Sequence, residues 1–319
     1  MVKYFVKRVL WIIPVSIAIA ILIFTIMYFT PGDPASTLLG ADATDIQLEA
    51  KREELGLNDP YIVQLGNFLV DVFIHFDLGT SYVSGRAVID VLMERMPRTL
   101  MIAVICMCLQ VFVGTPLGIY AATHQNKIGD RIASLAAIIG VSMPNFWLAL
   151  MLVLLFSVKL GWLPSMGIGG IKYYILPCIA CSLGGIASQE RQTRSAMLEV
   201  IRSDYITTAR AKGLSERDVL IKHALPNALI PLVTVVGHGF GMMLSGAIIV
   251  ETVFSIPGVG TYMMSGITQR DYPVVRGSVI FLGILFSLIM VLVDLAYAFI
   301  DPRIKAQFAG GGKKKHGKK

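Results

Sequence analysis

The run Leu10-Trp11-Ile12-Ile13-Pro14-Val15-Ser16-Ile17-Ala18-Ile19-Ala20-Ile21-Leu22-Ile23-Phe24-Thr25-Ile26-Met27-Tyr28-Phe29 carries no charged side chain. The chain stays uncharged from Val9 to Gly32. About 20 apolar residues in a helix cross the ~30 Å hydrocarbon of a bilayer. Inside lipid a helix meets all its backbone hydrogen bonds within itself, so the run reads as a membrane-crossing helix. Lys3, Lys7 and Arg8 precede it, as basic residues precede the core of a signal peptide. That core is only ~7–15 residues long, and here no small-x-small cleavage site follows, so the run reads as an uncleaved first span.

Five more runs follow from the same reasoning: Thr99–Thr123, mildly broken by Gly114 and Pro116; Ile132–Val158, with Pro144 and Asn145 in its middle; Tyr173–Ser188, short and containing Pro177 and Gly184–Gly185; Ala228–Val250; and Val275–Ile300. Pro and Gly are tolerated in spans where neighbouring helices or water satisfy the freed backbone. Gly237, Gly239, Gly241 and Gly246 allow close helix packing. The composition agrees: of 319 residues 55% are hydrophobic and 15% charged, with mean hydropathy +0.69. Soluble domains carry ~25% charge. The expected fold is an all-α membrane protein of about six transmembrane helices, with an insert after the first.

The net charge of +7 could suggest nucleic acid. Its basic residues, however, cluster between the apolar runs, where they set orientation. With the N-terminus cytoplasmic, segments 1–9, 124–131, 189–227 and 301–319 lie inside and hold three, two, seven and seven Lys or Arg, nineteen of the 28. The sequence therefore places both termini in the cytoplasm. The insert from Thr30 to Arg98 then lies outside and holds eleven acids and five bases. Thr44 is expected to cap a short helix ended by Gly56, and Pro60 to open another. In that second helix Ile62, Leu65, Phe68, Leu69, Val72 and Phe73 recur at helical spacing. Such a face either lies along the membrane interface or packs on the bundle. The tail Gly310–Lys319, rich in Gly and Lys, is expected to be disordered and could touch anionic lipid.

Little in the chain carries chemistry. There is no G-x-x-x-x-G-K-[ST] phosphate loop, H-E-x-x-H or G-x-S-x-G. The four cysteines, Cys106, Cys108, Cys178 and Cys181, all lie in apolar runs. Cys178 and Cys181 read as small apolar neighbours on one helix face rather than a metal or redox pair, since no second pair or nearby histidine completes a site. Glu251 and Asp294 are the ionisable groups at the ends of spans five and six. Both are expected near a membrane face, where water relieves the cost of charge, and in pairing or capping roles. No charged midplane relay of a proton-coupled secondary carrier is evident, and no nucleophile–base pair or metal cluster of a membrane-embedded enzyme.

The third cytoplasmic loop is the informative one: Asp204-Tyr205-Ile206-Thr207-Thr208-Ala209-Arg210-Ala211-Lys212-Gly213-Leu214-Ser215-Glu216-Arg217. It reads as helix, Gly stop, helix. Gly213 suits a left-handed C-terminal position, and Ser215 can cap the next helix with Asp218 three residues on. Such an elbow could transmit force from a cytoplasmic partner, or be a solvated hairpin.

This loop resembles the EAA signature of binding-protein-dependent ABC importers: Glu-Ala-Ala, three residues, Gly, nine residues, then Ile-x-Leu-Pro. Here those positions are Thr207-Thr208-Ala209, Gly213 and His223-Ala224-Leu225-Pro226. The Glu, the first Ala and the Ile are replaced. The departures are similar to the dipeptide, oligopeptide and nickel subfamily, whose T-A-R-A-K-G string stands unchanged at Thr208–Gly213. Further motifs of that subfamily appear in order: Pro31-Gly32-Asp33-Pro34, Glu54-Leu55-Gly56-Leu57, Asp77-Leu78-Gly79-Thr80-Ser81, Ser142-Met143-Pro144-Asn145-Phe146-Trp147, Glu251-Thr252-Val253-Phe254 before Pro257-Gly258, Asp271-Tyr272-Pro273-Val274-Val275, and Asp301-Pro302-Arg303.

The resemblance implies a type I ABC importer permease fold in a cell membrane, and a chain that is not itself an enzyme. Residues 1–30 would be the N-terminal end and first span, 31–98 an extracytoplasmic insert, 95–301 the type-1 transmembrane domain with its coupling loop at 189–227, and 302–319 a basic tail. The implied partners are a second homologous permease, two ABC ATPase subunits that bind ATP and Mg, and an extracytoplasmic binding protein. No cofactor is expected in this chain. The residues Thr207, Thr208, Ala209, Arg210, Ala211, Lys212 and Gly213 would meet an ATPase. Asn145, His238 and Met242 are candidates for the translocation path. The implied substrate is a dipeptide or oligopeptide; nickel or a nickel chelate is the alternative, since His238 with Met242 and Met243 one turn on invites a metal reading. A lone membrane histidine also simply hydrogen-bonds a neighbouring helix.

Overall fold

The computed structural model describes residues 2–40 and 42–300, without the side chains of residues 2–5, 7, 230, 233, 234, 238, 245, 294 and 296–300. The side chains of His238 and Asp294 and the tail from residue 301 thus lie outside the described residues.

Among the described residues every regular element is a helix, with one isolated bridge between Thr80 and Ala87. Helix α1 (Val2–Phe29) buries Ala20, Ile23 and Phe24 and leaves Trp11, Leu22 and Phe29 exposed. One face therefore meets protein and the rest meets lipid. Four helical segments are long and apolar enough to cross a membrane: Arg8–Phe29, Val88–Thr123, Val235–Val253 and Tyr272–Val293. A bent pair, Ile128–Ser142 with Asn145–Lys159, makes a fifth. The fourth expected run lies in α9 (Lys172–Ile201), which is long but outside that apolar set.

Three expected spans differ in extent. The second begins eleven residues early, at Val88, and is continuous to Thr123 through α5 (Val88–Leu109), a π turn (Gln110–Gly114) and α6 (Thr115–Thr123). Residues 88–98 therefore belong to a helix of the bundle. The expected third span, Ile132–Val158, is not one straight helix. Its halves, α7 (Ile128–Ser142) and α8 (Asn145–Leu152, continued by a π turn to Lys159), meet at 103°. The residue before a proline is disfavoured in the α region, and Met143 before Pro144 is extended at φ −84, ψ 125. Helix α9 runs thirteen residues past Ser188, so the loop expected from 189 opens as a continuation of that helix.

Helix α9 is the spine, packed by α6, α7, α5 and α8. Helix α6 reaches it through Gly114 and Gly118, four apart. A Cβ at Gly114 would lie 2.7 Å from the Ile186 carbonyl, and one at Gly118 2.5 Å from that of Glu190. Small residues at this spacing let two membrane helices approach backbone to backbone. The shared core of α5, α8, α9 and the later α12 (Leu225–Val253) includes Ile102, Ala149, Leu176, Cys178, Cys181 and Met243. The thiols sit within it: Cys106 Sγ donates to the Cys178 carbonyl at 3.5 Å and Cys181 Sγ to that of Met243 at 3.8 Å.

In the insert, α2 (Pro34–Leu39), α3 (Asp45–Glu54) and α4 (Tyr61–Val70, continued by a π turn to His75) follow α1. Thr44 caps α3 through Gln47, Gly56 follows its end at φ +65, and Pro60 opens α4. Of the two alternatives for α4, its apolar face takes the bundle: Phe68, Leu69, Val72 and Phe73 pack with Ala20 and Ile23 of α1 and Val275 and Ile280. Ile62 at the start of α4 remains exposed.

Candidate coupling elbow and translocation face

After α9, Ser203 turns the chain into α10 (Asp204–Ala211). Its inward side is Ile206 and Ala209, packed with Ala122, Met197, Val219, Ala224 and Ala228 in a small core of their own. Thr207, Thr208, Arg210, Ala211, Lys212 and Gly213 are exposed. Six of the seven expected elbow residues thus share an open surface. Ala209 turns inward, so its small size serves the loop's own packing.

Gly213 breaks the helix at φ +79. A Cβ there would meet nothing within 4 Å, so glycine answers to the backbone and not to space within this chain. Ser215 then accepts from the Asp218 N–H at 3.2 Å and opens α11 (Glu216–Asp218), which a π turn (Val219–Ala224) joins to α12 (Leu225–Val253). Across the Gly213 turn Arg210 reaches Glu216 with two bonds, Nε at 3.0 Å and Nη2 at 2.7 Å. That bidentate fork is the geometry that makes Arg–carboxylate pairs directional. The Arg210 guanidinium holds the Glu216 carboxyl below its ordinary value. Asp218 is likewise held down, by Lys222 at 2.7 Å and by Ser215. The elbow is tied to the bundle by Arg202, which donates to Gln125 at 3.2 Å. Above it Arg194 forks onto Asp130, with bonds of 2.6 and 2.9 Å that join α9 to α7. Sequence reading missed both forks: Asp130 lies 64 residues from Arg194, and Arg210 meets Glu216 only because the chain reverses at Gly213.

The second candidate set converges elsewhere. A cavity of about 350 Å³ is lined by Gln110, Asn145, Cys181, Ser188, Met242 and Met243, together with Gly184 and Gly185. Asn145 and Met242 are thus brought together; the His238 side chain lies outside the described residues. Asn145 opens α8 just past the 103° bend. Gln110 was missed. It is buried at the π turn, its Nε2 donates to Gln189 at 3.2 Å, and its Oε1 has no partner. The available signal was a lone amide in an apolar run, which in a membrane marks a helix-to-helix bond or a lined path.

At the far end of the bundle Glu251 departs from expectation. It is fully buried, not relieved by water. Its Oε2 accepts from the backbone N–H of Gly260 at 2.8 Å and of Thr261 at 3.2 Å, and Thr99 Oγ1 donates to its Oε1 at 2.5 Å. Those N–H groups open α13 (Val259–Gln269), a helix the sequence reading did not anticipate. A carboxylate at a helix N-terminus meets unpaired donors and the positive end of the dipole. The expected capping role thus holds, in a sealed setting.

The comparisons with known proteins fit this architecture. Residues 114–306 match the family described as binding-protein-dependent transport system inner membrane component, and residues 1–103 its N-terminal membrane component family. A putative peptide transport system permease protein of Brucella abortus is 43% identical over 307 residues, which cover 94% of this chain and 98% of the relative. The dipeptide transport system permease protein DppB of Alkalihalophilus pseudofirmus is 41% identical over 96% of this chain and all of its own length. The glutathione transport system permease protein GsiC of Salmonella typhimurium is 39% identical over 96% and 99%. In fold, the chain is similar to a chain of the inward-facing MetNI methionine ABC transporter, with TM-score 0.55, 20% identity, and 67% of this chain and 97% of that one covered. The all-helical bundle is the type I importer permease fold, and the chain belongs to the binding-protein-dependent transport system inner membrane components.

Proposed function

We propose that this chain is the peptide-translocating permease subunit of an ATP-driven importer. The observation that carries the reading is the 39–43% identity, end to end, with permeases named for peptide, dipeptide and glutathione transport. The chain pairs with a second homologous permease, receives an ATPase subunit on the exposed side of the elbow at Thr207–Gly213, and takes substrate from an extracytoplasmic binding protein. ATP and Mg are bound by the ATPase partners. Closure of those subunits moves the elbow, and the core that α10 shares with α9 and α12 and the Arg210–Glu216 fork support its passing that motion to the bundle. The bent pair, α9 and α12 enclose the cavity at Asn145 and Met242, which we assign to the translocation path. The Lys/Arg distribution supports cytoplasmic termini and an outside insert from residue 31 to the start of α5, and the family match over 114–306 supports a type-1 domain over 95–301.

The test is uptake. A strain whose own peptide importers are deleted should gain uptake of labelled di- to pentapeptides when this chain and its genomic neighbours are supplied together. Omission of this chain should abolish it. Uptake of nickel complexes in place of any peptide would overturn the substrate.

A further inference from the structure

A cavity of about 520 Å³ lies where α1, the turn after it, the insert and the start of α14 (Tyr272–Ile300) meet. Arg276 forms part of its wall. The guanidinium sits over two rings, 4.8 Å from the Phe68 centroid and 5.6 Å from that of Phe24. Its Nε is sealed from solvent and has no hydrogen-bond partner. Among the described residues no carboxylate lies within ion-pair distance of it. Asp33, on the same wall, is already held by Arg52 at 2.9 Å. The wall also carries the phenols of Tyr28, Tyr82 and Tyr272 and the amides of Asn58 and Gln64, none of which supplies a counter-charge.

A guanidinium keeps its charge at any ordinary pH. Burying even part of it without a counter-charge is costly, and aromatic faces offset only part of that. Arg276 is half-buried and borders the cavity, where an oxyanion would supply the missing counter-charge, for which the planar fork is suited. Depth identifies its source. Arg276 stands one helical turn inside the span Tyr272–Val293, and Phe24 and Met27 lie in the last two turns of Arg8–Phe29. This is the boundary between hydrocarbon and headgroups, where lipid phosphates sit. The cavity shares no lining residue with the one at Asn145 and Met242.

We propose that this cavity is an oxyanion site in which Arg276 seats the phosphate of a membrane phospholipid headgroup. The lipid then bridges α1, α14 and the insert, and supplies the charge that the protein omits.

Native mass spectrometry of the full chain, purified with the subunits it assembles with and then delipidated, tests this. The probes are phosphatidylglycerol, phosphatidylethanolamine, diacylglycerol with the same acyl chains, and inorganic phosphate. The wild-type protein should retain one molecule of either phospholipid at least tenfold better than diacylglycerol, and Arg276→Gln should erase that preference. Asn58→Trp, at an exposed lining position, leaves the guanidinium in place and should cut phospholipid retention at least fivefold. If Arg276→Gln does not fold, the headgroup comparison and Asn58→Trp decide. Equal retention of diacylglycerol, occupancy by inorganic phosphate with no lipid retained, or wild-type retention by Asn58→Trp would each overturn the proposal.

Discussion

Ser81 and Asp271, 190 residues apart in the chain, share a buried hydrogen bond of 2.6 Å. Asp271 also accepts from the backbone N–H of Tyr82 at 3.1 Å and of Val83 at 3.2 Å. Two short motifs that look unrelated in sequence, Asp77–Ser81 and Asp271–Val275, are thus halves of one latch. It holds the turn after α4 against the start of α14.

The latch predicts a graded cost. Asp271→Ala leaves the Ser81 hydroxyl and two backbone donors unmatched, and each buried unsatisfied group costs roughly 1–3 kcal/mol. Ser81→Ala removes one donor to Asp271 and the acceptor for the N–H of the exposed Ser84, which water can replace, and should cost about 1 kcal/mol. Thermal unfolding of the purified protein in one detergent should rank wild type above Ser81→Ala, and Ser81→Ala above Asp271→Ala. Equal stability of Asp271→Ala and wild type would show that the latch holds nothing.

How far the sequence was legible depended on the range of each interaction. The long apolar runs at Leu10–Phe29 and Val275–Ile300 announce themselves by composition alone. The elbow is legible because its determinants are local: Gly213 in the left-handed region and Ser215 three residues before Asp218. The start of α5 was hidden because Asp90, Glu94, Arg95 and Arg98 interrupt the apolar run, although the helix continues through them. Pro144 signals a break but not its 103° direction, which neighbouring helices determine. Glu251 with Thr99, Gln110 with Gln189, and Arg276 over Phe68 pair residues remote in sequence, and no spacing rule announces such partners.

Topology has a direct measurement. With Cys108, the exposed native thiol, changed to Ser, a cysteine at Asn58 should react with a membrane-impermeant thiol reagent in intact cells. One at Ser215 should react only after lysis. The opposite pattern would invert the orientation read from Lys and Arg.

The Arg210–Glu216 fork carries a pH dependence with a definite sign. Arg210 depresses the Glu216 pKa in the folded chain. The fork's contribution is therefore fully present above the ordinary glutamate value of about 4.3 and is lost as pH falls through the lower folded value. Amide exchange over residues 211–217, corrected for intrinsic rates, should be faster in Glu216→Gln than in wild type at pH 7. The two should converge as the solution is acidified below that range. A gap that persists in acid would mean that the carboxylate charge is not what closes the turn.

The coupling role of the elbow rests on Gly213. An L-residue in the left-handed region costs about 1–2 kcal/mol, and Asn tolerates it best. Within this chain a side chain at 213 meets nothing within 4 Å. Gly213→Asn should therefore leave the permease inserted and paired with its sister subunit. If the exposed side of α10 docks into an ATPase subunit, the added side chain occupies the contact. Substrate uptake and binding-protein-stimulated ATP hydrolysis should then fall at least tenfold, and Gly213→Asp should abolish both. A change at Lys315, in the tail, should alter neither. Full stimulated hydrolysis in purified Gly213→Asn and Gly213→Asp complexes would reduce the elbow to a connector.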